Sequence, residues 1–185
     1  MDNFFDQLYT MLGPERMLAF LKTFLKDIQK LPMLCTHDTF RPLGQTNCFS
    51  AGSSDLGKAM GIRKTVVFTA AAKFANVGPA SCVVSTKVRV HQLFMLATCN
   101  TNEELMDMMA KMKDKHVVLH LCGHGICTEQ RPLACVNPDH LALGTQAVNV
   151  KQTGAHDILA LAHTVDEYRV LVALFQRDPA FEGLF

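Results

Sequence analysis

No apolar run among the 185 residues approaches the ~20 needed to cross a bilayer, and the N-terminus lacks the charged-then-apolar layout of a secretory signal. No membrane partner is therefore expected. An excess of charge is missing too: 18 Lys and Arg against 17 Asp and Glu leave a formal net charge of +1. That is low for a chain whose partner is DNA, although a basic stripe can coexist with an acidic helix and net charge is a poor proxy for local field. Internal repeats and low-complexity tracts are absent, and no composition shift is strong enough to split the chain. A single domain over residues 1–185 is the expectation, since that length can bury one good core.

What is present points to a folded protein of a reducing compartment. Apolar residues make up 49% and the mean hydropathy is +0.12, values of a globular chain with little disorder. Seven cysteines, an odd number clustered with histidine, suit metal ligation better than a disulfide framework. The expected location is intracellular, and nuclear in a eukaryote.

Residues 2–30 read as helix, with Phe4, Phe5, Leu8, Leu12, Met17, Leu18, Phe20, Leu21, Phe24 and Ile28 at helical spacing and a break at Gly13-Pro14. Pro32 to Gly61 is loop, punctuated by proline and glycine. Lys64 to Phe74 and Ala80 to Gln92 read as two strands, with Asn76-Val-Gly-Pro79 as the turn of a hairpin. Asn102 to Met112 is a short amphipathic helix capped by Thr101 or Asn102 with Glu104 nearby. His116 to His120 is a strand, 141–151 a helix, and Asp157 to Phe175 a last helix. This is an α+β chain, a small antiparallel sheet with flanking helices: 1–31 helical, 45–152 the core, 153–185 helical.

The densest chemistry lies between His120 and Asn149, thirty residues in all. Cys122, Cys135 and His140 offer the thiolate sulfur and imidazole nitrogen that zinc prefers. His120 precedes Cys122 by two residues, so on a strand both side chains leave from one face. Asn149 follows His140 by nine, about two and a half helical turns if a helix begins near Leu141. A zinc knot holding a strand against a helix would set a histidine opposite an amide, which is a way to build a nuclease centre. Cys35, Cys82 and Cys99 read as buried thiols, and His124 as an exposed loop histidine.

The run Leu-His120-Leu-Cys122 … Cys135-Val-Asn-Pro-Asp-His140-Leu … Gly-Thr-Gln-Ala-Val-Asn149 resembles the His-Cys box of homing endonucleases and their zinc-bearing HNH relatives. The resemblance covers residues 80–152, with 120–149 as its diagnostic part. It implies a ββα-metal nuclease core stabilised by structural zinc, with His120 as general base and Asn149 holding a catalytic magnesium. It also implies a fourth zinc ligand upstream, for which Cys48 in Asn47-Cys48-Phe49 is the choice and Cys127 the alternative. An arginine on the sheet contacts the scissile phosphate in such enzymes; Arg89 is the candidate, against an ordinary solvated strand arginine. Arg63, Lys64, Lys73 and Lys87 share the expected hairpin and would line a major groove, unless they serve solubility alone. Near-palindromic double-stranded DNA sites imply a homodimer, with the apolar helical ends as its contact. The chain departs from the pattern in the long insertion Gly123 to Ala134 and in having no cysteine after Cys135, which removes a second zinc site.

Two other readings stand beside site-specific cleavage of double-stranded DNA. One is a DNA-binding domain that keeps the zinc fold without cleavage, to which the near-neutral charge is congenial. The other is a zinc-stabilised protein-interaction module, suggested by the phenylalanine-rich N-terminal helix.

Overall fold

A computed structural model describes residues 4–26, 28, 61–76, 87–122, 135–159, 161–162 and 164–179. The Gly-Pro break divides the first helical stretch into α1 (Phe4–Leu12) and α2 (Pro14–Leu25). Gly13 takes φ +73°, a left-handed value that side chains resist, and Pro14 starts the next helix where a missing N–H costs nothing. The phenylalanines of these helices go into the chain's own core. Phe4, Phe5 and Phe20 are buried, the Phe4 ring lies 5.3 Å from Phe68, and Phe24 lies 6.1 Å from Phe94. That burial removes the motive for reading the N-terminal helix as a docking face.

The expected hairpin of 64–74 with 80–92 is not what forms. Lys64 to Ala75 is helix α3, and Val67, Phe68, Ala71 and Ala72 are its buried stripe, while Val66 and Phe74 are exposed. Burial at i, i+1, i+4 and i+5 is a helical period, and the Ala70–Ala72 triplet favours helix; the β-branched Thr65-Val-Val67 run masks both. The sheet here is reduced to β1 (Gly61–Arg63) and β2 (Lys87–Arg89), antiparallel with Gly61 opposite Arg89 and Arg63 opposite Lys87. The expected turn at 76–79 lies largely outside the described residues. The second expected strand ends at Arg89, where α4 (Val90–Ala97) begins. His91, Leu93, Phe94, Leu96 and Ala97 of α4 are all buried, as expected of a helix with apolar residues nearly all round.

Helix α5 (Asn102–Lys113) starts at a capping box: Glu104 N donates to Thr101 Oγ1 at 3.2 Å and Thr101 N donates to Glu104 Oε2 at 3.3 Å, an arrangement worth about 1 kcal/mol. Helices α1 to α5 share one core that extends to Val118 and Leu141 of the second sheet. That sheet is β3 (Val117–His120) antiparallel to β4 (Leu141–Gly144), with His120 opposite Leu141 and Val117 opposite Gly144. Residues 141–144 are thus strand before helix α6 (Gln146–Leu159) begins. A Cβ at Gly144 would fall 2.6 Å from Leu119 Cδ1, so a larger residue there would make the Leu119 side chain shift.

The last expected helix is also split. α6 runs to Leu159, and a second capping box, Thr164 with Glu167, starts α7 (Val165–Arg177). A separate small core of Leu159, Ala162 and Tyr168 ties the two together. Among the described residues no helix is long and apolar enough to cross a membrane.

Candidate functional site

β3, β4 and α6 form a strand–strand–helix unit whose far end is a side-chain cluster. Cys122 follows β3 directly, and Cys135 and His140 flank a short 3-10 turn, Pro138–His140, that leads into β4. Asn137 caps the turn, its Oδ1 accepting from Asp139 N at 3.2 Å, and its carbonyl accepts from His140 N at 3.0 Å. Leu121 N donates to His140 O at 2.8 Å, which extends the β3–β4 ladder by one bond. That bond places Cys122 beside the histidine turn. Pro138 at the first position fits, because its absent N–H is one that the turn leaves unused.

The candidate ligand atoms of Cys122, Cys135 and His140 all lie within 4.8 Å of one another, and the three residues are 4%, 0% and 2% exposed. Cys135 Sγ is 3.5 Å from His140 Nδ1. A zinc tetrahedron with Zn–S of about 2.3 Å and Zn–N of about 2.0–2.1 Å has an S–N edge of ~3.5 Å, so this pair fits zinc. Asn137 N donates to Cys135 Sγ at 3.4 Å, the outer contact that holds a thiolate in place. Both fourth-ligand candidates, Cys48 and Cys127, lie outside the described residues, as do Cys35, Cys82 and His124. Cys99 is buried, and burial pushes its thiol above the ordinary value, as befits a packed cysteine.

His120, the last residue of β3, is 8% exposed. Its ring lies against that of His91, with centroids 5.0 Å apart and planes at 88°. Arg89, at the end of β2, is exposed and serves as the residue before α4, two positions from His91. Burial first, then the charges of His120 and Arg89, hold the His91 imidazole far below the ordinary histidine range, at about 3. Arg89 thus stands two residues before the ring that packs on His120. His91 was missed in the sequence; its only signal is a histidine opening an otherwise apolar helix.

Asn149 sits one turn into α6, half-buried. Its N donates to Thr145 O at 3.0 Å and its carbonyl accepts from Thr153 Oγ1 at 2.9 Å. Among the described residues its side-chain amide makes no hydrogen bond, which leaves the oxygen available to a hard cation. Gln152, three residues on, is 2% exposed, and among the described residues its Nε2 has no hydrogen-bond partner; no sequence signal marks it.

The basic residues do not share a hairpin. Arg63 ends β1, Lys87 opens β2 opposite it, Lys64 begins α3, and Lys73 lies exposed in the last turn of α3. The ribbon that carries basic residues is three residues long on each side.

The protonation of His91 has a consequence for stability. Its folded-state value lies below its unfolded one, so on acidification the unfolded chain takes up a proton that the folded chain refuses. The neutral ring's contribution is complete above pH ~6.5 and is lost as pH falls towards 3, at about 1.4 kcal/mol per pH unit. Urea unfolding at pH 7 and pH 5.5 should show this loss for the wild type and a smaller one for His91→Phe. Equal losses in the two proteins would exclude His91 as the source.

A family model described as the zinc-binding loop region of homing endonuclease matches residues 47–171. No curated protein matches the chain, and no solved structure does.

Proposed function

The chain belongs to the family of the homing-endonuclease zinc-binding loop, and from that premise we propose that it is a metal-dependent, site-specific endonuclease of double-stranded DNA. The observation that carries the reading is the strand–strand–helix unit: β3, which ends at His120, pairs with β4 and touches the helix bearing Asn149, and a buried Cys122, Cys135 and His140 cluster closes the His120 end of the two strands. Zinc at that cluster is structural.

His120 acts as general base. A neutral imidazole takes the proton of a water as the water attacks phosphorus. Asn149 supplies one amide oxygen to magnesium, which keeps several waters and needs few protein ligands. When bound, the ion offsets charge on the scissile phosphate and stabilises the departing 3′ oxygen. Arg89, two residues before His91, offers a guanidinium fork to the same phosphate. Arg63, Lys64, Lys73 and Lys87 contribute contacts to the DNA backbone. Two copies on a near-palindromic site would place two such centres on opposite strands. Exposed Ile158, Leu161, Val170 and Leu174 on α6, α7 and their junction suit that dimer contact better than the buried N-terminal phenylalanines. An intracellular, reducing location keeps the thiols available to zinc.

Plasmid DNA incubated with the protein and magnesium, with EDTA as control, tests the reading. Magnesium-dependent nicking or linearisation is expected; an intact plasmid under both conditions would leave a silent DNA-binding domain, the reading that the net charge of +1 favours.

Asn149→Ala should cut slowly at low magnesium and regain activity as magnesium or manganese is raised, because it weakens ion capture and leaves the base in place. Titration of each metal against the cleavage rate reads this directly. A defect of constant size at every metal concentration would remove Asn149 from the ion's shell.

A further inference from the structure

We propose that His91 is a positioning residue: its buried ring, packed edge-to-face against the ring of His120, fixes the orientation in which His120 meets the attacking water. The inference rests on the nuclease reading given above and names a residue outside the box motif.

His91 stands on α4 among Leu93, Phe94, Leu96 and Ala97, all buried, and is itself 5% exposed. A histidine in so apolar a helix carries a desolvation cost that leucine or phenylalanine would avoid. What the ring meets there is another histidine, with centroids 5.0 Å apart and planes at 88°. That is the T-shaped arrangement aromatic rings prefer at such distances. Burial keeps the His91 ring neutral, so the contact adds no second charge beside His120.

The backbone of His120 is already fixed. It closes β3 opposite Leu141, and the next residue bonds to His140 O. What the ladder does not determine is the rotation of the imidazole about its own side-chain bonds. A wall standing at right angles to the ring restricts that rotation, and a general base misplaced by an ångström can lose ~10²-fold in rate. His91 also begins two residues after Arg89, so the same short segment sets the phosphate-side arginine and the wall behind the base.

The test uses full-length protein, plasmid DNA and three chains: wild type, His91→Leu and His91→Phe. Two quantities are read: the single-turnover cleavage constant with magnesium at saturating protein, and the DNA dissociation constant with calcium. His91→Leu should lose about 10- to 10²-fold in the cleavage constant with DNA affinity and zinc content unchanged, and His91→Phe, which keeps a ring, should stay within about 3-fold of wild type. A role confined to folding would instead lower zinc content and affinity together. If wild type leaves the plasmid intact, the nuclease reading falls and this one with it. If wild type cuts and His91→Leu cuts as fast, only the positioning role falls. A His91→Phe chain that retains zinc yet cuts as slowly as His91→Leu also overturns it, since a ring would then not suffice. Should His91→Leu fail to hold zinc, the wild type is read by NMR. A cross-peak between ring protons of His91 and His120, with His91→Phe active, supports the contact; its absence overturns it.

Discussion

On the proposed nuclease reading, His120→Ala should remove DNA cleavage, with a loss of at least ~10²-fold and up to ~10⁴-fold, the range that positioned proton transfer contributes. DNA affinity measured with calcium should stay near wild type, because a general base acts in the transition state and adds little to ground-state binding. The zinc cluster is made by Cys122, Cys135 and His140, so zinc content should also be unchanged. Stability is a separate matter. His120 is 8% exposed and rests on the His91 ring, so truncation opens a cavity and lowers the stability by on the order of 2 kcal/mol, with a lower melting temperature. Assays held well below the variant's melting temperature keep the two effects apart. The variant differs in kind from Asn149→Ala: added manganese should leave His120→Ala inactive. Wild-type cleavage by His120→Ala would make the nuclease assignment of this site wrong and turn attention to the silent-scaffold reading.

Cys135→Ala or His140→Ala should unfold or aggregate the protein, and the purified wild type should hold one zinc per chain. Cys135 is fully buried and stands ahead of the 3-10 turn, and His140, 2% exposed, ends that turn where β4 begins. Beyond the β3–β4 ladder, Leu121 N donates to His140 O and ties the Cys122 and His140 segments together. Structural zinc contributes about 10–16 kcal/mol of apparent binding free energy in small zinc domains, against a total stability of about 5–15 kcal/mol for a typical domain. Loss of one ligand in four therefore removes a quantity comparable to the whole margin. Elemental analysis gives the stoichiometry and thermal melting with and without chelator gives the linkage. Two zinc atoms per chain, none, or a Cys135→Ala chain that melts and cuts like wild type would each overturn the ligand assignment.

The clustering of Cys135 and His140 was legible in the sequence because it is local. Cys135 and His140 are five residues apart, and the Asn-Pro-Asp turn between them needs no distant partner to bend the chain. Caps behave the same way: Thr101 with Glu104 marks the start of α5 in the sequence, because both hydrogen bonds close within one turn. Thr164 with Glu167 carries the same signal, and it is what divides the last helical stretch in two. The Gly13-Pro14 break is likewise a property of two adjacent residues.

Only tertiary structure decided the rest. Thr65 to Ala75 has residues for either strand or helix, and the choice fell to helix because Val67, Phe68 and Ala71 find a core built from α1 and its neighbours. Whether the N-terminal phenylalanines face a partner or the interior depends on α3 and α4 being there to receive them. Leu141 to Gly144 becomes strand because β3 lies alongside. The meeting of His91 with His120 spans 29 residues and two elements. Spacing and periodicity report what a residue does within its own helix or strand; which ring it meets across the core is settled by packing, and that is where His91 was found.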